Sequence, residues 1–490
     1  MKKGFLITMV LVLLLGMIPG FGLAEADTSE RVELTMVLLG DEPARMDDVL
    51  KEFNKLALED LNCTLKIKYL DWGEYETKYP LMFSSGEKFD LAYAATWVDF
   101  ANLAQKGAFM PLEDLLPVYC EESLKDCPDE ALEQATINGH IYAYPTNNKN
   151  YSAYGCEVRG DMMDKYGFTD IPDFETYGEF LKAVAKGETQ FVNVGGMNYD
   201  PSVMVNIYFE SKGYYPLNGG QFGFLYLDLN AEKPTVFAMH EWEDYENYLN
   251  MMKDWADSGL WPKSVLSITD SVDAMVTSGM AAGRMSNVGG WAVDYAACDP
   301  SWDIRWFNFV DPINYQAYTQ DAMVIPNSSE NPERALMLLD KIRTDERYYD
   351  LLVYGVEGVD FIRYENGTFE VVNTDLFPAE SGTWGFTSQK FKLVSVVAPE
   401  AYAATLEKLE SLVVPNVFRS FNMDTAPVKT EFAALQNVYS QYNLPLCGGV
   451  TNDVHADLQK LIDQANAAGY EKVKEEMQRQ VDEFYAAHNK

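Results

Sequence analysis

Histidine is scarce in this sequence: His140, His240, His455 and His488 are the only four in 490 residues. They are scattered and have no C-x-x-C companions, so no metal site is indicated. "HEWED" at His240 lacks the second histidine of a zinc-protease helix, no G-x-S-x-G elbow occurs, and glycine is never followed by lysine as a P-loop requires. Positive charge is also thin, with 38 basic against 75 acidic residues and a net charge of −37. Without a basic stripe to offset phosphate repulsion, nucleic acid is excluded as a partner. Six cysteines are too few for a disulfide scaffold in a chain of this length. Cys120 and Cys127, in "YCEESLKDC", are close enough in sequence to consider as a bridge, and two free thiols are the equal alternative. After the N-terminus no segment offers the roughly 18 uncharged apolar residues of a membrane helix.

What the chain does have is apolar material, 47% of residues with 13% aromatic, far above a disordered acidic chain. Single cores stop growing at roughly 250–300 residues, so two domains are expected. At the N-terminus, Lys2 and Lys3 precede an apolar run from Phe5 to Ile18, a Pro19–Gly20 break and Ala24-Glu25-Ala26. This reads as a secretory signal peptide over residues 1–26, cleaved before Asp27. The mature chain is expected to be exported and soluble, periplasmic or at the cell surface.

"RVELTMVLLG" reads as a buried strand, and "ARMDDVLKEFNKLALEDL" places Met46, Val49, Leu50, Phe53, Leu56 and Ala57 on one helical face. "CTLKIKYL" alternates as a half-exposed strand, which completes a strand-helix-strand unit of the kind that builds parallel sheets. A helix around Tyr75 to Ser84, the strand "FDLAYAAT" and the helix "WVDFANLAQKG", closed by Gly107, continue the pattern. "NGHIYAYPTNN" turns at Asn138-Gly139 into a short aromatic strand ended by Pro145, and a second lobe is expected to begin near there. Later come the amphipathic helix "YENYLNMMKDWADSG", the strand "AAGRMSNV", a helix from about Pro332 to Arg343, and three closing helices. "GGQFG" at Gly219 is too isolated for a dinucleotide site and reads as a turn.

No catalytic constellation emerges, and among 75 acids any paired carboxylates on paper are uninformative. Aromatic residues are the resource that remains: 30 tyrosines and 9 tryptophans, several in loops beside Asn, Asp or Gly. Sugar rings stack C–H faces on aromatic planes, and their hydroxyls need polar partners to replace water. A binder is therefore expected rather than an enzyme. An exported glycan-active hydrolase, or the same fold binding a peptide, are the alternatives.

The order of segments resembles the extracellular solute-binding proteins of ABC importers, in the oligosaccharide-binding group. The likeness is spread over nearly all of Arg31 to Ala487. It is carried by "FDLAYAATWVDFANLAQKGAFMPLEDLL", "NGHIYAYPTNN", "MVTSGMAAGRMSNVGGW" and "YTQDAMVIPNSSENPERALMLLDKI". The tail "VFRSFNMDTAPVKTEFAALQNVYSQYNLPLCGGV" is similar to a lipoprotein subgroup linked with aldouronates. The resemblance implies an α/β, two-lobe periplasmic-binding-protein-like fold (type II, Venus-flytrap) with a ligand cleft between lobes. It places lobe one at residues 27–145 plus 319–395 and lobe two at 146–318 plus 396–490. It also implies closure on an oligosaccharide, docking on an ABC permease, and no cofactor; the chain is expected to act as a monomer. The first cysteine is Cys63, so the lipid-modified cysteine that many relatives carry after the signal peptide is missing.

The resemblance makes Trp291, behind Gly289-Gly290, the leading ligand-stacking residue, with a core aromatic as its alternative. Tyr93, Thr96 and Trp97 end a strand, where ligands sit in open α/β sheets; Trp97 could equally begin the helix and pack inward. Asn147, Asn148, Tyr151 and Tyr154 flank the first crossing between lobes, with a solvated turn as the other account of the asparagines. Trp384 in "SGTWGF" and Trp72 after Leu70 are loop tryptophans that complete the candidate set. Glu357, in "YGVEGVDFIRYENG", faces either the cleft or its own turn, while Gly355 and Gly358 fit a helix exit.

Overall fold

The computed structural model describes residues 27–148, 150, 151, 153–217 and 223–488. The expected signal peptide at residues 1–26 and most of the Gly219 cluster lie outside the described residues.

A five-stranded sheet organises the first body. Val32–Leu39 and Cys63–Leu70 pair in parallel, from Val32 opposite Cys63 to Leu39 opposite Leu70, and Leu91–Ala94 joins the other side of the first strand in the same direction. Ala322–Val324 then returns antiparallel between Leu91–Ala94 and the edge strand Tyr144–Pro145. The first strand is covered on both faces, which is why Met36, Val37, Leu38 and Leu39 can all be apolar without alternation and all be fully buried. Helix Met46–Leu61 lays Met46, Val49, Leu50, Phe53, Ala57 and Leu61 on this core. Its last carbonyls do not go unpaired, because the buried Arg334 donates from Nη1 to Leu61 O at 2.5 Å and to Asn62 O at 3.2 Å.

A second large core gathers residues from Cys156 to Phe309 and from Phe418 to Val481. Its sheet is antiparallel, with Tyr154–Arg159 between Gly283–Asn287 and Ile304–Asn308. The helix Tyr245–Asp257 buries Tyr245, Tyr248, Leu249, Met252 and Trp255 against it, the face that helical spacing indicates. Three helices, Lys429–Val438, Val454–Ala467 and Tyr470–His488, finish the chain on the same core.

The chain runs between the two cores at residues 145–154, 309–322 and 395–402. These segments are tied to one another: Gln316 N donates to Asn150 O at 2.9 Å, and Tyr151 bridges to Tyr315. The bodies also meet beside the second segment, where Gln134 accepts from Tyr318 N at 2.6 Å and donates to Ser420 Oγ at 2.9 Å. All six cysteines are free thiols. Cys120 is buried and directed at Leu336 O, so the proximity of Cys120 and Cys127 in sequence makes no bridge.

Candidate functional site

Three parallel strands end on the same edge of the first sheet, so the residues that follow them converge: Trp72 after Leu70, and Thr96 and Trp97 after Ala94. Ala322–Val324 runs the other way, which brings the residues before it, Gln320 and Asp321, to that same edge. This is the carboxyl edge at which open α/β sheets bind ligands. Trp384 enters from far along the chain in a single turn, Trp384–Phe386.

The indoles form one group. Trp72 lies 5.9 Å from Trp384 at an interplanar angle of 36° and 6.2 Å from Trp97 at 30°, with Tyr75 edge-on to Trp72 at 5.7 Å. Trp97 and Trp384 are half-buried, whereas Trp72 keeps 37% of its surface exposed. Large aromatic surface left in water beside other indoles is an open stacking face, which a core would have closed.

Polar groups line the group's edge. Tyr93 Oη donates to Asp321 Oδ1 at 2.8 Å and Asn150 Nδ2 donates to Asp321 Oδ2 at 3.1 Å. Burial holds the Asp321 carboxyl above its usual range, against the pull of these two donors. Thr96 Oγ1 donates to Gln320 Oε1 at 2.9 Å, which fixes the Gln320 amide with its NH₂ available to a further acceptor.

The turn that carries Trp384 is held by close backbone approach. A Cβ on Gly385 would lie 2.6 Å from Met323 Sδ, 2.7 Å from Ala322 O and 2.9 Å from the Tyr93 ring. Gly385→Ala is therefore expected to lift the Trp384 turn off the sheet and cost about 1–3 kcal/mol, as overpacking does. Urea titration of the unliganded protein measures this, and an unchanged midpoint would mean that the turn yields freely.

Several of the sequence candidates sit elsewhere. Tyr93 is fully buried; it positions Asp321 and backs the indoles, and presents no face of its own. Trp291 is 4% exposed, donates Nε1–H to Ile304 O at 2.8 Å, and packs between Trp306 and Tyr402. It is a core residue of the second body, because its helix Val288–Ala297 turns that face onto the antiparallel sheet. Asn148 is buried at the first crossing, and Asn147 lines a separate cavity of about 20 Å³ with Ser123, Cys127 and Arg343. Tyr151 donates to Leu406 O at 3.3 Å and is half-buried, as is Tyr154 at the start of its strand.

Glu357 is exposed, beside Asp350, whose carboxyl burial pushes up to about 6 against Arg363, with Glu346 and Glu357 adding to the rise. The structure does not bring Glu357 to the tryptophans. Its neighbour Asp360 is the buried one, accepting from Arg45 Nε at 2.6 Å and Val356 N at 2.9 Å. Gly355, at φ +89°, leaves room for it: a Cβ there would lie 2.6 Å from that of Asp360.

Sequence reasoning missed Asp321, Gln320, Asn150 and Glu380. Glu380 stands four residues before Trp384 in "ESGTW" with φ +63°, a conformation that non-glycine residues seldom adopt. Only the antiparallel return of Ala322–Val324 reveals Gln320 and Asp321.

A model of the bacterial extracellular solute-binding protein family matches residues 40–346, and a model of a domain of unknown function matches residues 417–486. The chain is 26% identical, over 96% of its own length and 94% of the relative's, to a carbohydrate ABC transporter substrate-binding protein of Streptococcus pneumoniae serotype 4. Among solved structures, the N-glycan transport solute binding protein NgtS of Streptococcus pneumoniae in complex with Man1GlcNAc superposes with a TM-score of 0.78 at 23% identity, covering 93% of this chain and 99% of that one. The alginate-binding protein AlgQ2 superposes at 0.64 with 16% identity, over 93% and 99% of the two chains.

Proposed function

Because the chain belongs to the bacterial extracellular solute-binding protein family, whose model spans more than half of it, we propose that it captures an oligosaccharide between its two bodies and delivers it to an ABC importer. The observation that carries this reading is the group of Trp72, Trp97 and Trp384 at the carboxyl edge of the parallel sheet, with Trp72 open to solvent. Flat indole faces stack on the C–H face of a sugar ring, and Asp321, Gln320 and Thr96 stand at their edge to take up hydroxyls. A carbohydrate transporter protein among the relatives and a glycan-bound neighbour of the same fold support that choice of ligand.

In this reading the two lobes are residues 27–145 plus 319–395 and residues 146–318 plus 396–490, hinged at the crossing segments. Ligand favours the closed form because it contacts both lobes only there. The chain is exported by its first 26 residues to the periplasm or the cell surface, works as a monomer, and hands its cargo to the permease chemically unchanged.

Thermal unfolding with a panel of xylo-, manno- and gluco-oligosaccharides, neutral and acidic, tests the proposal. One of them is expected to raise the melting temperature in proportion to the logarithm of its concentration, as a ligand of the native state must, and to be recovered intact. A panel without any shift, or steady cleavage of excess sugar, would refute it.

A further inference from the structure

Glu380 precedes Trp384 by four residues and stands in a conformation that glutamate seldom adopts. Its backbone is pinned, with N donating to Val353 O at 2.7 Å, while φ stands at +63°. The loop that follows lies on the end of the first strand: Ser381 Oγ reaches Asp41 O, and a Cβ on Gly382 would lie 2.7 Å from Leu39 O. The Glu380 backbone is thereby held beside the end of the first strand, four residues before Trp384. Yet among the described residues its carboxylate accepts no hydrogen bond and makes no ion pair, although the residue is more than half buried. A strained backbone that holds a carboxylate partly withdrawn from water and without a protein partner works against stability, and such costs gather where a ligand completes the site.

The charges around it are lopsided. Lys392 is the cation whose field reaches both Glu380 and Asp321, and it is exposed. The Glu380 charge is felt by Tyr349 and Tyr354 of the first body and by Tyr402, beside Tyr151, so Glu380 lies where the first body meets the crossing segment that leads to Tyr402. Two half-buried carboxylates against one solvated ammonium, in a chain of net charge −37, make a floor that accepts hydrogen bonds and repels anions.

Resting on the oligosaccharide reading above, we propose that Glu380 sets specificity in this cleft: its carboxylate accepts hydrogen bonds from hydroxyl groups of an uncharged oligosaccharide and turns away sugars that carry carboxylates. A hydroxyl pair supplies the donors that Glu380 lacks, whereas a uronate brings a like charge to a site with little water to screen it. The chain's likeness to an aldouronate-linked subgroup would lead to the opposite expectation, so the two are separable by measurement.

The test is calorimetric titration of the mature protein with neutral xylo-, manno- and gluco-oligosaccharides and with the same backbones bearing a uronate. The wild type is expected to bind a neutral member at least tenfold more tightly than its uronate counterpart. Glu380→Gln should shrink that ratio at least threefold. Glu380→Gly should weaken neutral binding at least tenfold while the unliganded melting temperature stays level or rises, since glycine adopts this φ without strain. A Glu380 that served the fold alone would lower that temperature in both variants and leave the ratio unchanged, which would overturn the inference. Equal or tighter uronate binding by the wild type would overturn it while leaving the oligosaccharide reading intact; no binding across the whole panel would overturn both.

Discussion

Trp72→Ala is expected to weaken oligosaccharide binding by about thirtyfold, the equivalent of about 2 kcal/mol, which is the scale at which truncation of a buried aromatic anchor in an interface is felt. In the unliganded chain the same substitution removes a side chain that is 37% exposed and packs on Trp97, Trp384 and Tyr75. Its cost to stability should therefore stay near 1 kcal/mol. Affinity and stability are expected to part company at Trp72, and titration calorimetry beside urea unfolding reads both. Trp291→Ala should do the reverse. Its ring is buried and its indole N–H is bonded to Ile304 O, so truncation leaves a cavity and an unpaired carbonyl at about 3–5 kcal/mol. If Trp72→Ala leaves affinity unchanged and Trp291→Ala lowers affinity without unfolding, the ligand sits on the second body's helix and the indole group is only packing.

The contrast between these two tryptophans shows how far residue patterns reach. The parallel unit from Val32 to Ala94 could be read in advance because period 2, period 3.6 and continuous apolar runs each have one structural meaning when the elements alternate. Trp72, Thr96, Trp97 and Trp384 could be picked out because each stands at a strand end or in a glycine-rich loop, where side chains are not claimed by an element's own packing. Trp291 stands after two glycines and looks equally free. What decides it is the rotation of helix Val288–Ala297 against the antiparallel sheet, and Ile304, its partner, lies in another element. Asp321 and Glu380 were invisible for different reasons. Asp321 reaches the edge through an antiparallel return in a sheet that otherwise reads as parallel, and Glu380 is singled out by a positive φ that glutamate does not advertise in sequence. Glu357 is flanked by Gly355, which serves the burial of Asp360 instead, and by Gly358, where a Cβ would meet nothing within 4 Å.

The second large effect is expected at Arg284, which holds the helix carrying Trp291 onto the sheet. Arg284 stands opposite Glu157 across the strand pair, with Nη2 at 3.1 Å from Glu157 Oε1 and Nε at 2.9 Å from Asp294 Oδ2. Glu157 is fully buried, and Asp294 and Arg284 nearly so. One guanidinium, shared also with the exposed Asp273 at 2.6 Å, cannot offset two buried carboxylates: burial raises Asp294 to about 8, Arg284 opposes the rise and Glu157 and Asp273 add to it, and burial likewise raises Glu157. Arg284→Met leaves two buried carboxyl groups without their cation and should destabilise the second body by about 3–5 kcal/mol in urea unfolding.

The pH dependence has a definite sign. With Asp294 raised to about 8 in the folded chain and an ordinary aspartate at 3.8, the folded chain holds a proton through that window that the unfolded chain has released. The stabilising contribution is complete below about pH 4 and is lost as pH rises toward 8, at up to about 1.4 kcal/mol per pH unit for one proton. The second body of the wild type should accordingly become easier to unfold between pH 5 and pH 8. Asp294→Asn keeps an oxygen for Arg284 to donate to and removes the proton, so it should flatten that slope while remaining folded. A slope of equal size in the Asn variant would assign the titration to other groups and leave the Arg284 pairings as ordinary ion pairs.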